Sequence, residues 1–340
     1  MQLRPHQTKA VKAMLRHNKG QIIVPTGGGK TMCMISDATN EFSRQSYSTD
    51  ATQTIVVVAP RILLTNQLSA EFLYHNLDGN YNQGINVMHI HSGETHHFST
   101  TKVDEIRQFN YDTWCDNKHL LIFTTYHSLH KLQESDIVVD TIYFDEAHNS
   151  VQKNFFPATE HFSHFAKRCY FFTATPKHSR SPVKAGMNWP EYGQVICQVP
   201  APKLVKEGYI LPPKVEVYQS RILQKDELVI ERDCEQMIDS IDNISKSKVL
   251  ICAKATKQII NLVSHTTFVQ DLADRGYSWM TITSKTGAII DGEKVDREEF
   301  FNTLNAWGKD STKKFVVLHH SILSEGINVN GLEAVLFLRN

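Results

Sequence analysis

Gln21-Ile22-Ile23-Val24-Pro25-Thr26-Gly27-Gly28-Gly29-Lys30-Thr31 is the stretch on which the fold turns. An apolar, β-branched run leads into a glycine triplet, and a helical sequence follows from Lys30 to about Phe42. Glycines let the main chain curl so that successive N–H groups face one anion. The N-terminus of the next helix adds its positive end. In that geometry Pro25, Thr26, Gly27, Gly28 and Gly29 wrap phosphates, and Lys30 reaches the β- and γ-phosphates of ATP. The Thr31 hydroxyl then ligates Mg2+. Val24 stands where the G-x-x-x-x-G-K-[ST] pattern has its first glycine. The bland alternative is an ordinary glycine-rich strand-to-helix turn. It does not account for strand, triple glycine, Lys-Thr and helix falling in that order.

Outward from this loop, short β-branched runs alternate with helical stretches. Strands are expected at 20–25, 54–59, 86–91, 120–124, 141–145, 169–173 and 195–199, and again at 215–219, 248–253, 278–284, 315–320 and 334–338. Runs such as Ile55-Val56-Val57-Val58-Ala59 are apolar throughout, which suits a parallel sheet covered on both faces. The alternation predicts an α/β fold. The chain's 340 residues suggest about two domains at roughly 150 residues each. Pro200, Pro202, Pro212 and Pro213 cluster around Glu207-Gly208-Tyr209, so the division is placed between 1–206 and 207–340. The polar stretch from about 76 to 118 reads as a surface excursion of the first domain.

Composition narrows the functional classes. Hydrophobic residues make up 41% and charged residues 21%, which is enough apolar sequence to bury two cores and excludes bulk disorder. Lys plus Arg and Asp plus Glu are 36 each, so a uniformly basic nucleic-acid binder is excluded and any such contact is local. No window offers the roughly 18 apolar residues of a membrane helix, and the N-terminus has no apolar signal core. The six cysteines are scattered without a C-x-x-C pair, which fits a reducing, intracellular setting, in a cell or a virus-infected host, with buried thiols.

Thr141-Ile142-Tyr143-Phe144-Asp145-Glu146-Ala147-His148 ends an apolar strand on two carboxylates. Strand C-termini of a parallel sheet line its ligand crevice. Asp145 is placed there to hold Mg2+, and Glu146 to orient and deprotonate a water. A helix N-cap with an acidic first turn is the structural alternative; the upstream Lys30-Thr31 argues against it.

Together these residues resemble a superfamily 2 DEAH-box helicase or translocase, of the type related to the Res subunits of type III restriction enzymes. Further motifs carry the resemblance in order. Leu3-Arg4-Pro5-His6-Gln7 is similar to the adenine-reading Q motif, with Arg4 and Gln7 on the nucleotide. Pro60-Arg61 with Leu64 and Gln67 resembles motif Ia, and Thr124-Thr125 with Tyr126 resembles motif Ib, both on the nucleic-acid backbone. Thr173-Ala174-Thr175-Pro176 resembles motif III, which couples hydrolysis to nucleic-acid grip. Lys248–Ala253 resembles motif IV. Leu323-Ser324-Glu325-Gly326-Ile327-Asn328-Val329 resembles motif V, with Gly326 and Asn328 near the nucleotide.

The resemblance implies two RecA-like domains with mostly parallel sheets, the second incomplete, that clamp ATP–Mg2+ and step along a phosphate backbone. It gives Lys30, Asp145, Glu146 and His148 the catalytic roles, His148 as the coupling residue. DNA is favoured over RNA as the track. A double-stranded DNA translocase without strand separation, or a nucleotide-gated DNA-binding module with little turnover, are the alternatives. No Gly-Arg dipeptide of the family's motif VI occurs in the sequence. The expectation is therefore a fragment of a longer motor, an arginine finger supplied by a partner or a further C-terminal segment, or slow hydrolysis.

Other signals stay outside this scheme. Seventeen histidines are present, and His89, His91, His96 and His97 crowd together; solvated loop histidines are expected rather than a zinc site. Lys246, Lys248, Lys254 and Lys257 read equally as a nucleic-acid stripe or a solvated helix face.

Overall fold

The computed structural model describes residues 2–45, 52–76, 84–93, 95–212, 214–217, 221–283, 285–320 and 331–338. The chain divides into two compact units, 1–213 and 214–340. In the first, α1 (Pro5–Met14) leads through β1 (Lys19–Ile23) and the glycine loop into α2 (Lys30–Gln45). Then come β2 (Thr54–Ala59), α3 (Ile62–Asn76), β3 (Ile85–Ile90), β4 (Phe98–Ser99) and α4 (Val103–Cys115). β5 (His119–Thr125), α5 (Leu129–Glu134), β6 (Thr141–Phe144), α6 (Phe156–Phe165), β7 (Arg168–Thr173), β8 (Val195–Gln198) and α7 (Ala201–Lys206) complete it.

The eight strands run in the order β4-β3-β5-β2-β6-β7-β1-β8, and every pairing is parallel. The uniform apolarity of β2 has its cause here. Ile55, Val57 and Ala59 pack on one face with Ala10, Cys33 and Leu64. Val56 and Val58 pack on the other with Leu129, Ala147 and Phe162. Helices cover both faces, so neither set of alternate side chains meets water. Because all strands point the same way, the segments that leave β1, β2, β5, β6 and β7 emerge along one edge of the sheet.

The second unit contains α8 (Val229–Ile244), β9 (Lys248–Ala253), α9 (Thr256–His265), α10 (Phe268–Asp274) and β10 (Ser278–Thr283). β11 (Gly287–Ile290), β12 (Glu293–Val295), α11 (Arg297–Lys309), β13 (Phe315–His319) and β14 (Ala334–Leu338) follow. Its sheet has six strands ordered β12-β11-β10-β13-β9-β14. β10, β13, β9 and β14 are parallel, while β11 and β12 form an antiparallel extension. The extension turns at Asp291-Gly292, both with positive φ, the backbone that a tight hairpin requires. Both units are α/β.

Several expectations are corrected. The strand expected at 215–219 is not formed by the described residues 214–217, and Val215 and Val217 are exposed. A boundary at 206/207 leaves Tyr209 and Ile210 in the second domain, yet they pack against the first unit's core. The excursion of 76–118 contains β3, β4 and α4, and β3 is an interior strand. Cys115 is exposed and Cys252 half-buried; the other four cysteines are buried. Cys252 Sγ lies 2.9 Å from His319 Nε2. Lys248 is buried, with Nζ donating to the Gly308 carbonyl at 2.6 Å, so it caps α11 rather than joining a surface stripe.

His89 and His91 are likewise not solvated. Both are buried at the end of β3, and only His96 of the group is exposed. Gly93 N–H donates to His91 Nδ1 at 3.2 Å, which fixes the His91 proton on Nε2. That nitrogen meets His89 Nδ1 at 3.0 Å, and His89 Nε2 meets Ser69 Oγ at 3.0 Å on α3. The chain of bonds is complete with both rings neutral. Burial first, then the neighbouring His91 and His97, push His89 down to about 3 from 6.5. Burial also lowers His91 and His97. Between those two pH values the unfolded chain binds protons that the folded one refuses, so stability is full above 6.5 and falls towards 3. The first unit's melting temperature is expected to drop between pH 7 and pH 5, and His89→Asn to flatten that slope. An unchanged slope in the variant would contradict the assignment.

Candidate nucleotide and nucleic-acid site

β1 ends in the glycine loop, where Gly27 has φ +76° and Gly29 φ +79°. Side chains at these positions would be strained. At Gly29 a Cβ would also lie 2.2 Å from Gln7 Nε2. Gln7 is buried against the loop: its Oε1 accepts from Arg4 N–H at 2.8 Å, and its Nε2 donates to the carbonyls of Gly28 and Gly29 at 3.4 and 3.3 Å. His6 Nε2 adds a bond to the Gly28 carbonyl at 2.8 Å. His6 and Gln7 therefore brace the glycine loop through its main chain. Thr26 and Gly27 are exposed, Pro25, Gly29 and Thr31 half-buried, and Lys30 is buried at the head of α2.

β6 delivers the acidic pair. Asp145 N–H donates to Val58 O at 2.8 Å, extending the β2–β6 ladder by one bond, and Tyr126 OH donates to Asp145 O at 2.8 Å. Glu146 then takes a left-handed backbone, φ 44° and ψ 50°. For a side-chain-bearing residue this is a costly conformation of the kind found at functional sites. The turn aims the Glu146 carboxylate at the glycine loop, where Oε1 lies 3.1 Å from Lys30 Nζ. Its Oε2 lies 3.5 Å from His148 Nδ1, and the same nitrogen is 3.0 Å from Thr173 Oγ1. Thr173 Oγ1 also accepts from Thr175 N–H at 3.1 Å, and the β7 carbonyl of Thr173 accepts from Val24 N–H. Lys30, Glu146, His148 and Thr173 are thus one connected cluster.

Asp145 is buried, and its Oδ1 has no hydrogen-bond partner. Burial and the Glu146 charge lift its carboxyl to about 7, against the pull of Lys30. A buried oxygen of this kind, within reach of the Lys30 charge, fits a divalent cation as its missing partner. No group of three or more His, Cys, Asp or Glu among the described residues is arranged to hold a metal. A cation here would take its other ligands from phosphates and water.

The residues expected on the nucleic acid separate into two groups. Thr124, Thr125 and Thr173 are buried, and their hydroxyls point inward. Thr124 Oγ1 donates to Ile90 O at 3.0 Å, and Thr125 Oγ1 to Ser128 Oγ at 3.3 Å. They position strand ends instead of presenting a surface. Pro60 is buried, Arg61 half-buried and Thr175 exposed; Gln67 Nε2 donates to Glu71 one helical turn on. Gly326 and Asn328 lie outside the described residues.

Two residues position the acidic pair: Tyr126, expected on the nucleic-acid backbone, and Asn149, which no motif names. Tyr126 clamps the main chain of Asp145, and Asn149 Nδ2 meets both Glu146 O at 3.2 Å and His148 Nε2 at 3.4 Å. Asn149 directly follows the Asp-Glu-Ala-His run, so its place was legible; the reach of Tyr126 across the sheet was not.

A parallel sheet with a glycine loop, an acidic strand end and a linking threonine along one edge defines a RecA-like nucleotide-binding core of helicase superfamily 2. Residues 1–178 match the family model described as type III restriction enzyme, res subunit, and the chain belongs to that family of helicase- and translocase-type ATPases. No curated protein matches the sequence. Among solved structures, it is similar to the ATP-dependent Type ISP restriction-modification enzyme LlaBIII bound to DNA. The identity is 18% and the TM-score 0.71, over 100% of this chain and 26% of that one. A nuclease-deletion mutant of the Type ISP enzyme LlaGI, in complex with a DNA substrate mimic, is 22% identical with TM-score 0.51, over 72% of this chain and 23% of that one. Mss116p bound to ssRNA and AMP-PNP is 14% identical with TM-score 0.60, over 99% of this chain and 64% of that one. At these identities the likeness is one of fold. The chain spans about a quarter of each Type ISP enzyme. No helix of the described residues is long and apolar enough to cross a membrane.

Proposed function

We propose that the chain is the core of a DEAH-box, ATP-driven nucleic-acid motor that moves on DNA in preference to RNA. The observation that carries this reading is the Lys30–Glu146 pair at 3.1 Å. It joins the cation that would take the γ-phosphate to the carboxylate that would take a proton. ATP entering the loop replaces Glu146 as the partner of Lys30. The released carboxylate then orients a water, accepts its proton as the oxygen attacks the γ-phosphorus, and ADP leaves with the bridging oxygen. Thr31 and Asp145 would hold Mg2+, which would neutralise charge on the phosphates. His148, held between Glu146 and Thr173, carries the change of partner to the segment after β7.

Support for a nucleic-acid track comes from the family and from similar folds with DNA or RNA bound. Arg61 and Thr175 lie on the sheet edge that carries the phosphate loop, where they meet a backbone without reading bases. The test is steady-state ATPase activity with single- and double-stranded DNA and RNA, with Lys30→Ala as control. Stimulation by DNA above RNA, abolished in the variant and weakened by salt, is expected. ATP binding without stimulation by any nucleic acid would replace the motor with a nucleotide-gated binding module. Greater stimulation by RNA would reverse the choice of track.

A further inference from the structure

We propose that Tyr209, which lies outside every motif that carries the family resemblance, is the platform that positions Arg4 against the base of the bound nucleotide. The inference rests on the reading of the glycine loop as the ATP site and deepens it. Tyr209 is fixed by the end of α7. Gly208, at φ +74°, turns the chain back, and Tyr209 N–H donates to Leu204 O at 2.9 Å. The returning segment flanks the phosphate loop. Ile210 Cγ2 is 3.3 Å from where a Cβ on Gly27 would stand, and Leu204 Cδ1 is 3.1 Å from one on Gly28. The Tyr209 ring reaches the other wall: Arg4 Cζ lies over it at 5.0 Å, and the His6 ring stands 5.3 Å away at 58°.

Three observations point from this stack to a base. First, the Gln7 amide is engaged at both ends by Arg4 N–H and the loop carbonyls, so the polar group free to meet a base is the Arg4 guanidinium. Arg4 is exposed, and it pairs with no carboxylate among the described residues. Second, a guanidinium laid on an aromatic ring keeps its other face for a second flat π system. Third, His6 Nδ1 is a buried nitrogen without a hydrogen-bond partner. Because Nε2 faces a carbonyl it carries the proton, and Nδ1 is a bare acceptor. An acceptor beside the stack suits the exocyclic amine of adenine and not the carbonyl of guanine.

The experiment compares the wild-type chain with Tyr209→Leu, Tyr209→Phe and Lys30→Ala. Binding of ATP, GTP and inorganic tripolyphosphate, the last a probe with no base, is measured by calorimetry, with thermal melts to verify folding. Tyr209→Leu is expected to weaken ATP about tenfold and to narrow the preference for ATP over GTP. Its affinity for tripolyphosphate and its maximal turnover rate stay unchanged, and Tyr209→Phe behaves as wild type. Lys30→Ala weakens all three ligands. Unaltered ATP affinity in Tyr209→Leu, or an equal loss of ATP and tripolyphosphate, would overturn the platform while leaving the ATP site standing. A wild-type chain that binds neither ATP nor tripolyphosphate would overturn the ATP site and the platform together.

Discussion

Replacing Glu146 with Gln is expected to lower the maximal rate of ATP hydrolysis by about 10²–10⁴-fold while ATP still binds. The substitution keeps shape and hydrogen-bonding reach, so the left-handed turn at Glu146 and the bond from Asn149 to its carbonyl are undisturbed. What is lost is the carboxylate's ability to accept a proton. Removing its charge also relieves Asp145, whose carboxyl Glu146 helps to lift to about 7. Affinity for ATP therefore holds or rises, since the competing anion on Lys30 is gone. The check is single-turnover hydrolysis beside equilibrium ATP binding. Full turnover in the variant would move the role of base to another group. A joint loss of binding and turnover would make Glu146 a structural partner of Lys30 only.

The second large effect is on stability, and it lies in the middle of α2, the helix that begins at Lys30. Asp37 on α2 is fully buried. It receives Tyr143 OH at 2.7 Å and Arg168 Nη2 at 2.8 Å, and Arg168 Nη1 reaches Glu41 at 3.0 Å. Arg168 Nε donates to Tyr170 OH at 3.0 Å, and that hydroxyl donates to the carbonyls of Met14 and His17 at the end of α1. Burial, with the Asp37 carboxylate second, holds Tyr143 well above its ordinary range, so it stays a donor. Arg168→Met strands the Asp37 charge away from water and is expected to cost the first unit about 3–5 kcal/mol. The double variant Asp37→Leu, Arg168→Met removes both charges and should recover much of the loss. Urea unfolding of the three proteins decides. A loss below about 1 kcal/mol in the single variant would mean that water reaches the cluster.

What the sequence made legible follows from where side chains are buried. The strand at 54–59 was readable to the residue because both its faces are covered, so every position from Ile55 to Ala59 is apolar. The glycine loop was readable because its backbone tolerates almost no other residues. The hairpin at 287–295 was missed although Asp291-Gly292, after the β-branched pair Ile289-Ile290, announces a tight turn. The strand expected at 215–219 had the right alternation, but among the described residues it has no ladder to join. Pattern reports what a segment can pair with, not whether a partner is there. At the site, the types of Lys30, Asp145, Glu146 and His148 were legible as chemistry. The inward turn of Thr124 and Thr173, and the engagement of Gln7 by the loop, depend on neighbours far away in the chain.

The place of β1 in the sheet has a consequence for biosynthesis. Of the strands in its sheet it is the first to be synthesised, yet its two neighbours are β7 and β8, made of residues 168–173 and 195–198. Until those emerge, the glycine loop hangs from a strand with no ladder on either side. Contacts this distant in sequence form late, after the intervening chain has been ordered. A nascent chain therefore acquires a shaped phosphate loop only after the rest of its first sheet can close around it, and cannot trap nucleotide while half made.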